Sequence, residues 1–170
     1  MQRKFLHIKY VLALILGFTF ASAAIAAIEV GEPVDEISAQ LIDGTTFKLS
    51  EHRGDVVIIN FWAGWCDPCR EEMPLLQAYY AKYKNKGLYL IAINMDEPAD
   101  EAIALKISKQ YPFPIALRKD SNYKPLGRIW RLPSTFVIDK HGILIKNGSK
   151  GAPVITQTEL DTLVTPLLRK

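Results

Sequence analysis

The apolar and polar positions along the chain predict strands interspersed with helices. Residues 55–61 and 88–94 contain apolar runs of strand length, which are typical of strands buried on both faces of a sheet. Between and after them, the residues favour helices over about 68–85, 98–110 and 156–168. Strands that alternate with helices indicate an α/β fold, in which a sheet with parallel members is flanked by helices.

Shorter strands are predicted to pair as hairpins. Asp43-Gly44 is a favoured type I′ turn because both central residues can adopt positive φ, and His141-Gly142 separates a second pair of short apolar segments. Pro74 is expected to kink the first helix, since it removes a backbone hydrogen bond, and Pro166 to disturb the last helix. The other predicted elements are strands at 37–42, 45–49, 113–117, 134–139 and 143–146, a helical turn at 50–54 and a weak helical stretch at 121–129.

The first 27 residues are expected to be a targeting segment. Residues 1–10 are basic, and the apolar run that follows ends in small residues around Ala24-Ile25-Ala26, the pattern of a signal peptidase substrate. The run is about 18 residues long, which also suits an uncleaved membrane anchor, and both alternatives stay open. In either case the body is expected outside the cytoplasm. The predicted division is a leader at 1–27, a linker at 28–36 and one domain at 37–170.

The net charge of +3 reports mainly this leader. Three of the 21 basic residues, Arg3, Lys4 and Lys9, precede the apolar run, so the body holds 18 basic residues against 18 acidic ones. A neutral body gives no indication of a nucleic-acid-binding surface. Its chemistry is therefore expected to lie in particular side chains.

The two cysteines of the chain, Cys66 and Cys69, are three positions apart. A disulfide across so short a loop restricts the unfolded chain little, so the pair is interpreted as redox-active rather than structural. Zinc would need about four ligands, and only His52 and His141 accompany the cysteines in the body. Attachment of a c-type haem would need histidine where Arg70 stands.

Two segments carry a resemblance to a known family. Trp65-Cys66-Asp67-Pro68-Cys69 and the later Leu132-Pro133-Ser134-Thr135-Phe136 resemble the TlpA/ResA-like (DsbE-type) branch of the thioredoxin superfamily, and the likeness extends from about Val34 to the C-terminus. It implies a thioredoxin fold, with a central mixed β-sheet flanked by helices and an N-terminal β-hairpin extension. It also implies thiol–disulfide oxidoreductase activity of the Cys-x-x-Cys pair.

The position of the cysteines predicts their roles. Cys66 lies where a strand ends and a helix begins, so the helix dipole and free backbone N–H groups favour its thiolate, the form that attacks a disulfide. Cys69, one turn on, is expected to be less exposed and to resolve the mixed disulfide. Pro68 fixes the turn geometry, and the charge of Asp67 is expected to offset part of the dipole effect.

The resemblance suggests further site residues. Asn60 stands where cytosolic thioredoxins have a buried, proton-accepting aspartate, and Glu72, one turn past Cys69, is the candidate for that role. Pro133 is expected to be cis, with the backbone of Leu132 free to pair with an incoming peptide. The predicted catalytic residues are Cys66, Cys69 and Glu72, the predicted substrate-binding residues are Trp65, Pro68, Leu132 and Pro133, and no metal ligand is predicted.

The three tryptophans are expected to differ in role. Trp65 is expected to shield the disulfide and contact partners, as exposed aromatic residues at recognition surfaces do. Trp62 is expected to pack in the core. For Trp130, packing and shaping of the substrate groove both stay open.

The predicted function is a reductase of protein disulfides in the periplasm or at the outer face of the cytoplasmic membrane. The resemblance implies a DsbD- or CcdA-type membrane electron donor, and apocytochrome c or a copper-site protein among the clients. The cysteine pair is itself the redox cofactor, because no nucleotide, flavin or metal motif is present. One alternative is Cu(I) binding by the two thiolates for oxidase assembly. A peroxiredoxin-like peroxidase is a weaker alternative, because the threonine that it needs is replaced by Ala63.

Overall fold

The computed structural model of the protein describes residues 28–168, apart from the side chain of Ile103. Within this range the strands form one mixed sheet, which confirms the predicted fold class. The strands are β1 (Ser38–Leu41), β2 (Thr46–Lys48), β3 (Val56–Trp62), β4 (Leu88–Asn94), β5 (Ile115–Asn122), β6 (Ser134–Ile138) and β7 (Leu144–Lys146), in the spatial order β2-β1-β5-β4-β3-β6-β7.

The centre of the sheet is β3, all of whose residues are buried. It pairs in parallel with β4 along its whole length and antiparallel with β6 on its other side. Strand β4 also pairs in parallel with β5. The apolar runs of β3 and β4 are therefore explained by burial on both faces, and the two predicted hairpins are confirmed as β1–β2 and β6–β7.

Three helical regions flank the sheet. Helix α1 (Asp67–Tyr83) follows β3, α2 (Glu101–Ser108) follows β4, and α3 (Gln157–Glu159) continues through a π-helical segment (Leu160–Val164) into Thr165–Leu168. Short 3₁₀ helices occur at Leu49–His52, Pro98–Asp100 and Lys124–Leu126. No helix of the described part is long and apolar enough to cross a bilayer.

Apolar side chains form two core clusters. One contains Trp62 from β3, Leu76 from α1 and Leu160 from the closing helix. The other contains Phe47 of the N-terminal hairpin and Phe136 of β6. The β3 side chains alternate between the clusters, as the two-residue period of a strand requires.

The segment predicted as a linker lies against the sheet. The backbone N–H of Gly31 donates to the carbonyl of Leu144, and the N–H of Leu144 donates to the carbonyl of Glu32. Val34 is buried in the second core cluster. Residues 31–34 of the predicted linker thus pair through their backbone with residues 142–144, at the start of β7. The predicted leader at 1–27 lies outside the described residues.

The weak helical stretch predicted at 121–129 is wrong except for its middle. Strand β5 continues through Ser121 and Asn122, which pair with Ala39 and Ser38 of β1. Only Lys124–Leu126 forms a short 3₁₀ helix. The polar end of β5 has no apolar run to mark it, so its strand conformation depends on pairing with a distant part of the chain.

Candidate active site

The redox segment occupies the junction between β3 and α1. After Trp62, the loop 63–65 turns the chain, and Cys66 is the N-cap residue of α1. Its Sγ accepts a hydrogen bond of 3.3 Å from the backbone N–H of Cys69. Pro68 is the second helical residue, where a backbone N–H would have no intrahelical acceptor. Its missing N–H therefore costs nothing, and its fixed φ favours the start of a helix here. The predicted helix is confirmed, with Pro74 inside it.

Cys66 and Cys69 are joined by a disulfide bond, with their Cα atoms 5.3 Å apart. Cys66 retains 4% exposure, whereas Cys69 is fully buried. The predicted order of exposure is confirmed. This order of exposure agrees with the expected roles, in which Cys66 meets the incoming sulfur and Cys69 resolves the mixed disulfide.

The charges at the start of α1 are partly balanced. Asp67 forms an ion pair with Arg70, and the same guanidinium donates to the carbonyl of Gly64 at 2.9 Å. Both charged side chains are at least half exposed. Arg70 reduces the effect of Asp67 on a Cys66 thiolate, so the helix dipole is opposed less than the sequence suggested.

Glu72 is buried one turn past Cys69, on the face of α1 that also carries Cys69. Asn60 donates to Oε2 of Glu72 at 2.9 Å, and the hydroxyl of Thr135 donates to Oε1 at 3.3 Å. The backbone N–H of Ile155 donates to Oε1 at 2.6 Å. Asn60 and Glu72 are thus joined by a direct hydrogen bond, to which Thr135 and Ile155 add partners, and the sequence revealed none of these contacts.

Burial raises the pKa of Glu72 from its usual 4.5 to about 7. The hydrogen bonds from Ile155, Asn60 and Thr135 act in the opposite direction, as does the positive charge of Lys146, but they do not cancel the cost of burial. A carboxyl group with such a pKa can accept or release a proton near neutral pH.

Asp96 holds the redox loop in place, and sequence analysis missed it. Both of its carboxylate oxygens accept from the backbone N–H of Gly64, at 2.8 and 3.1 Å, and Asn94 donates to Oδ2 at 2.8 Å. Asp96 follows β4, whose carboxyl end lies beside that of β3 because the strands are parallel. A polar residue just after a buried parallel strand is the pattern that could have identified it.

The second segment that carries the resemblance, residues 132–136, spans the loop before β6 and the first residues of β6. The Leu132-Pro133 peptide bond is cis, as predicted. Leu132 is partly buried and packs against the core cluster that contains Cys66 and Cys69. Trp65 is 67% exposed and Trp62 is fully buried, so both of these predicted environments are confirmed.

The residues that could bind a metal do not converge. Among residues 28–168 no three His, Cys, Asp or Glu side chains are grouped to hold a metal ion. His52 instead contacts Asp55 at 3.2 Å and packs against Tyr89, with ring centroids 3.8 Å apart and the ring planes tilted by 38°. Only the two cysteines, once reduced, would offer adjacent soft ligands.

The fold and the site together define a class of protein. An N-capping cysteine, disulfide-bonded one turn along its helix and placed beside a cis-proline loop, is the arrangement of a thioredoxin-fold thiol–disulfide oxidoreductase.

Comparison with known proteins agrees with this class. Residues 30–147 match the AhpC/TSA family. The thiol-disulfide oxidoreductase ResA of Halalkalibacterium halodurans is 32% identical over 166 residues, which cover 95% of this chain and 93% of that protein. The ResA of Oceanobacillus iheyensis is 38% identical over 103 residues, 59% of this chain and 53% of that protein.

A crystal structure described as a thiol:disulfide interchange protein DsbE from Chlorobium tepidum has a TM-score of 0.70 and 28% identity, covering 84% of this chain and 99% of its own. The chain belongs to the AhpC/TSA family of thioredoxin-fold proteins, among the thiol–disulfide oxidoreductases similar to ResA.

Proposed function

We propose that the protein reduces disulfide bonds of exported proteins outside the cytoplasmic membrane. The observation that carries this proposal is the placement of the Cys66–Cys69 disulfide at the start of α1, one helical turn before the buried Glu72 on the same helix. Resemblance to ResA-type oxidoreductases supports the class of reaction. The basic and apolar character of residues 1–27 supports export.

The reaction is thiol–disulfide exchange. The Cys66 thiolate attacks one sulfur of the client disulfide, forming a Cys66–client mixed disulfide and releasing one client thiolate. The Cys69 thiolate then attacks the sulfur of Cys66, which breaks the mixed disulfide and releases the second client thiolate. Two electrons pass to the client, which takes up two protons to become a dithiol, and the protein is left with the Cys66–Cys69 disulfide.

Glu72 is proposed as the internal proton carrier. Cys69 must lose its proton before it attacks Cys66, and its sulfur is buried away from water. Glu72 lies one helical turn further on the same buried face, and its raised pKa suits proton exchange with a thiol. Asn60 does not titrate in this range, so its part is to orient the Glu72 carboxyl group.

Each turnover requires the disulfide to be reduced again. Because an exported compartment is oxidising, we propose a membrane electron donor of the DsbD or CcdA type that delivers two electrons through its own dithiol. The cysteine pair is proposed as the redox cofactor. Apocytochrome c and copper-site proteins are the proposed clients, which would place the protein in cytochrome c maturation or a related process.

The first experiment is the reduction potential of the Cys66–Cys69 couple, measured on the protein as purified by equilibration with a dithiol buffer and tryptophan fluorescence. A value near or below roughly −230 mV would identify a reductant and support the proposal. A value near roughly −120 mV would identify an oxidant, and the proposed direction of electron flow would be abandoned.

A trapping experiment tests whether the clients are proteins. Cys69→Ser removes the resolving thiol, so the variant is expected to accumulate mixed disulfides with exported proteins through Cys66. Cys66→Ser is the matched control and is expected to accumulate none. Equal adducts on both variants would show that attack does not begin at Cys66.

A further inference from the structure

A cleft of about 510 Å³ opens beside the segment that leads to Pro133. Its volume is in the range of pockets that receive a ligand or a partner's side chain. Trp130 is 63% exposed there, whereas large aromatic side chains usually bury most of their surface. We name this feature the Trp130 cleft and define it by Lys124, Leu126, Arg128, Trp130, Ser149 and Lys150.

The walls of the Trp130 cleft are held in position. The Arg131 guanidinium lies 5.0 Å from the centroid of the Trp130 ring, and its Nη2 donates to the carbonyl of Gly148 at 3.1 Å. Gly148 packs so closely on β6 that a Cβ atom there would stand 2.6 Å from the backbone nitrogen of Thr135. A partner would therefore bind a largely preformed surface, at little cost in conformational entropy.

The charge of the Trp130 cleft is positive and incompletely neutralised. No acidic residue lines it within the described part of the chain. Lys150 pairs with Glu29 at 2.6 Å, but Lys124 and Arg128 have no ion-pair partner among residues 28–168. The hydroxyl of Ser149 is buried and also without a hydrogen-bond partner there. Such a surface is complementary to carboxylates beside an apolar group.

The location of the cleft indicates which kind of partner would use it. Trp130 is two residues from Leu132, so their Cα atoms lie within about 7 Å of each other. Leu132 packs against the cluster that contains Cys66 and Cys69. Ser134, two residues after Leu132, pairs with Phe61 near the end of β3, the strand from which the redox loop begins. A polypeptide held at Cys66 that pairs with the backbone of Leu132 would reach the cleft. A bilayer resting on this face would instead cover the loop beside the redox pair.

We infer that the Trp130 cleft binds an extended client segment in which acidic residues flank an apolar side chain, a few positions from the client cysteine. The apolar side chain contacts Trp130 and Leu126, and the carboxylates face Lys124 and Arg128. This inference rests on the proposed function, because it names the class of client sequence that the redox pair acts on. Trp130 and Arg128 act in client recognition, apart from the sulfur chemistry.

Binding can be measured without any redox reaction. Dye-labelled peptides with serine in place of cysteine, carrying Asp-Phe-Asp, Asn-Phe-Asn or Lys-Phe-Lys, are titrated with the oxidised protein by fluorescence anisotropy. We expect the Asp peptide to bind at least about tenfold more tightly than the Lys peptide, with the difference shrinking as salt is raised. Affinities equal within about twofold would overturn the inference.

Substitutions at two positions of the cleft, with a control elsewhere, locate the binding surface. Arg128→Glu is expected to shift the Asp-to-Lys preference by at least about tenfold, whereas Lys109→Glu, the same charge change at an exposed position on α2's C-terminal end, is expected to leave it unchanged. Trp130→Ala is expected to weaken all three peptides, and Trp130→Phe to retain most of the affinity. Equal behaviour of Arg128→Glu and Lys109→Glu would contradict the assignment.

Two further measurements distinguish this inference from the proposed function and from binding to a lipid surface. Reduced protein that acts on no disulfide, including neutral bis(2-hydroxyethyl) disulfide, would refute the proposed function, while the serine-peptide titrations would still decide the cleft. Equal sedimentation of the native protein and Trp130→Ala with phosphatidylglycerol vesicles is expected. Vesicle binding that Trp130→Ala abolishes would overturn the inference in favour of a lipid surface.

Discussion

Glu72 is the residue where stability and chemistry are most directly opposed. Its carboxyl group is almost completely buried, and ionisation in that position is costly even with three hydrogen-bond donors. The difference between its usual pKa of 4.5 and about 7 corresponds to roughly 3 kcal/mol. A leucine or methionine there would avoid this cost but would leave the donors of Asn60, Thr135 and Ile155 without their acceptor. We propose that the carboxyl group is present for proton transfer rather than for packing.

The pH dependence of stability follows from this raised pKa. Between pH 4.5 and about 7 the folded protein holds the Glu72 proton and the unfolded chain does not, so the free energy of unfolding falls as pH rises through that window. Glu72→Gln is expected to remove this fall, with a difference of up to roughly 3 kcal/mol. Urea unfolding of the oxidised protein at pH 4.5 and pH 8 measures it, free of thiol titration.

Glu71→Gln is the matched control for this prediction, because Glu71 is the neighbouring, exposed glutamate of the same helix. The control is expected to retain the pH dependence of the native protein. Asn60 can accommodate the new amide at Glu72, since its Oδ1 has no hydrogen-bond partner among the described residues. An unchanged pH profile in Glu72→Gln would show that Glu72 is not the group responsible.

At the scale of elements, the start of the closing helix connects a local motif to the active site. Thr156 and Glu159 form a capping box, in which Oγ1 of Thr156 accepts from the backbone N–H of Glu159 and the Glu159 carboxylate accepts from that of Thr156. The residue before the cap, Ile155, donates its N–H to Glu72. The cap therefore fixes one of the donors that hold the Glu72 carboxyl group.

Loss of this cap is expected to reduce stability. Thr156→Ala should lower the free energy of unfolding by about 1 kcal/mol, because the N–H of Glu159 loses its acceptor, and Thr156→Ser should restore most of it. Thr158→Ala is the control, since Thr158 is exposed in the same turn and its side chain caps nothing. Urea denaturation compares the three variants. A loss as large in Thr158→Ala would attribute the effect to helix propensity.

The π-helical segment lies where a proline and a packing contact both affect the closing helix. Pro166 was expected to disturb the closing helix, and the distortion occurs just before it, at Leu160–Val164. The backbone N–H and the hydroxyl of Thr165 both donate to the carbonyl of Leu160, and the hydroxyl of Tyr79 hydrogen-bonds to that of Thr165. Pro166 predicts that the helix is disturbed, but not that the disturbance is a π-helical segment. That segment ends beside the contact of Thr165 with Tyr79 of α1.

For the whole molecule, β3 is the strand on which the architecture depends. It is hydrogen-bonded on both sides, and all its side chains are buried in the two core clusters or in the Glu72 network. The redox loop begins where it ends. Strand β2, by contrast, lies at the edge of the sheet with one neighbour and alternates between exposed and buried residues.

Hydrogen exchange should reflect this difference. Amides of β3 are expected to exchange only through global unfolding and those of β2 through local opening, so β3 should be protected by several orders of magnitude more. Amide exchange of the oxidised protein, followed by NMR or mass spectrometry, measures both strands in one sample. Protection of β2 equal to that of β3 would show that the sheet opens only as one unit.

The active site could be predicted where its residues are close in sequence. Cys66, Pro68, Cys69 and Glu72 lie within two turns of one helix, so their relative positions follow from helix geometry alone. The roles of Thr135 and Ile155 could not be predicted, because they reach Glu72 only through the pairing of β6 with β3 and the packing of the closing helix. The cis state of Pro133 was predictable by resemblance and not from local propensity.

The sequence by itself determined the central strands, the helix after the cysteines, both hairpins and the redox chemistry, because each depends on interactions between residues close along the chain. Only the tertiary structure decided that residues 31–34 pair with residues 142–144, that the polar end of β5 is a strand, that Asp96 holds Gly64 and that Trp130 borders a basic cleft. These features join distant segments, and no local pattern of apolar and polar residues encodes which segments will meet.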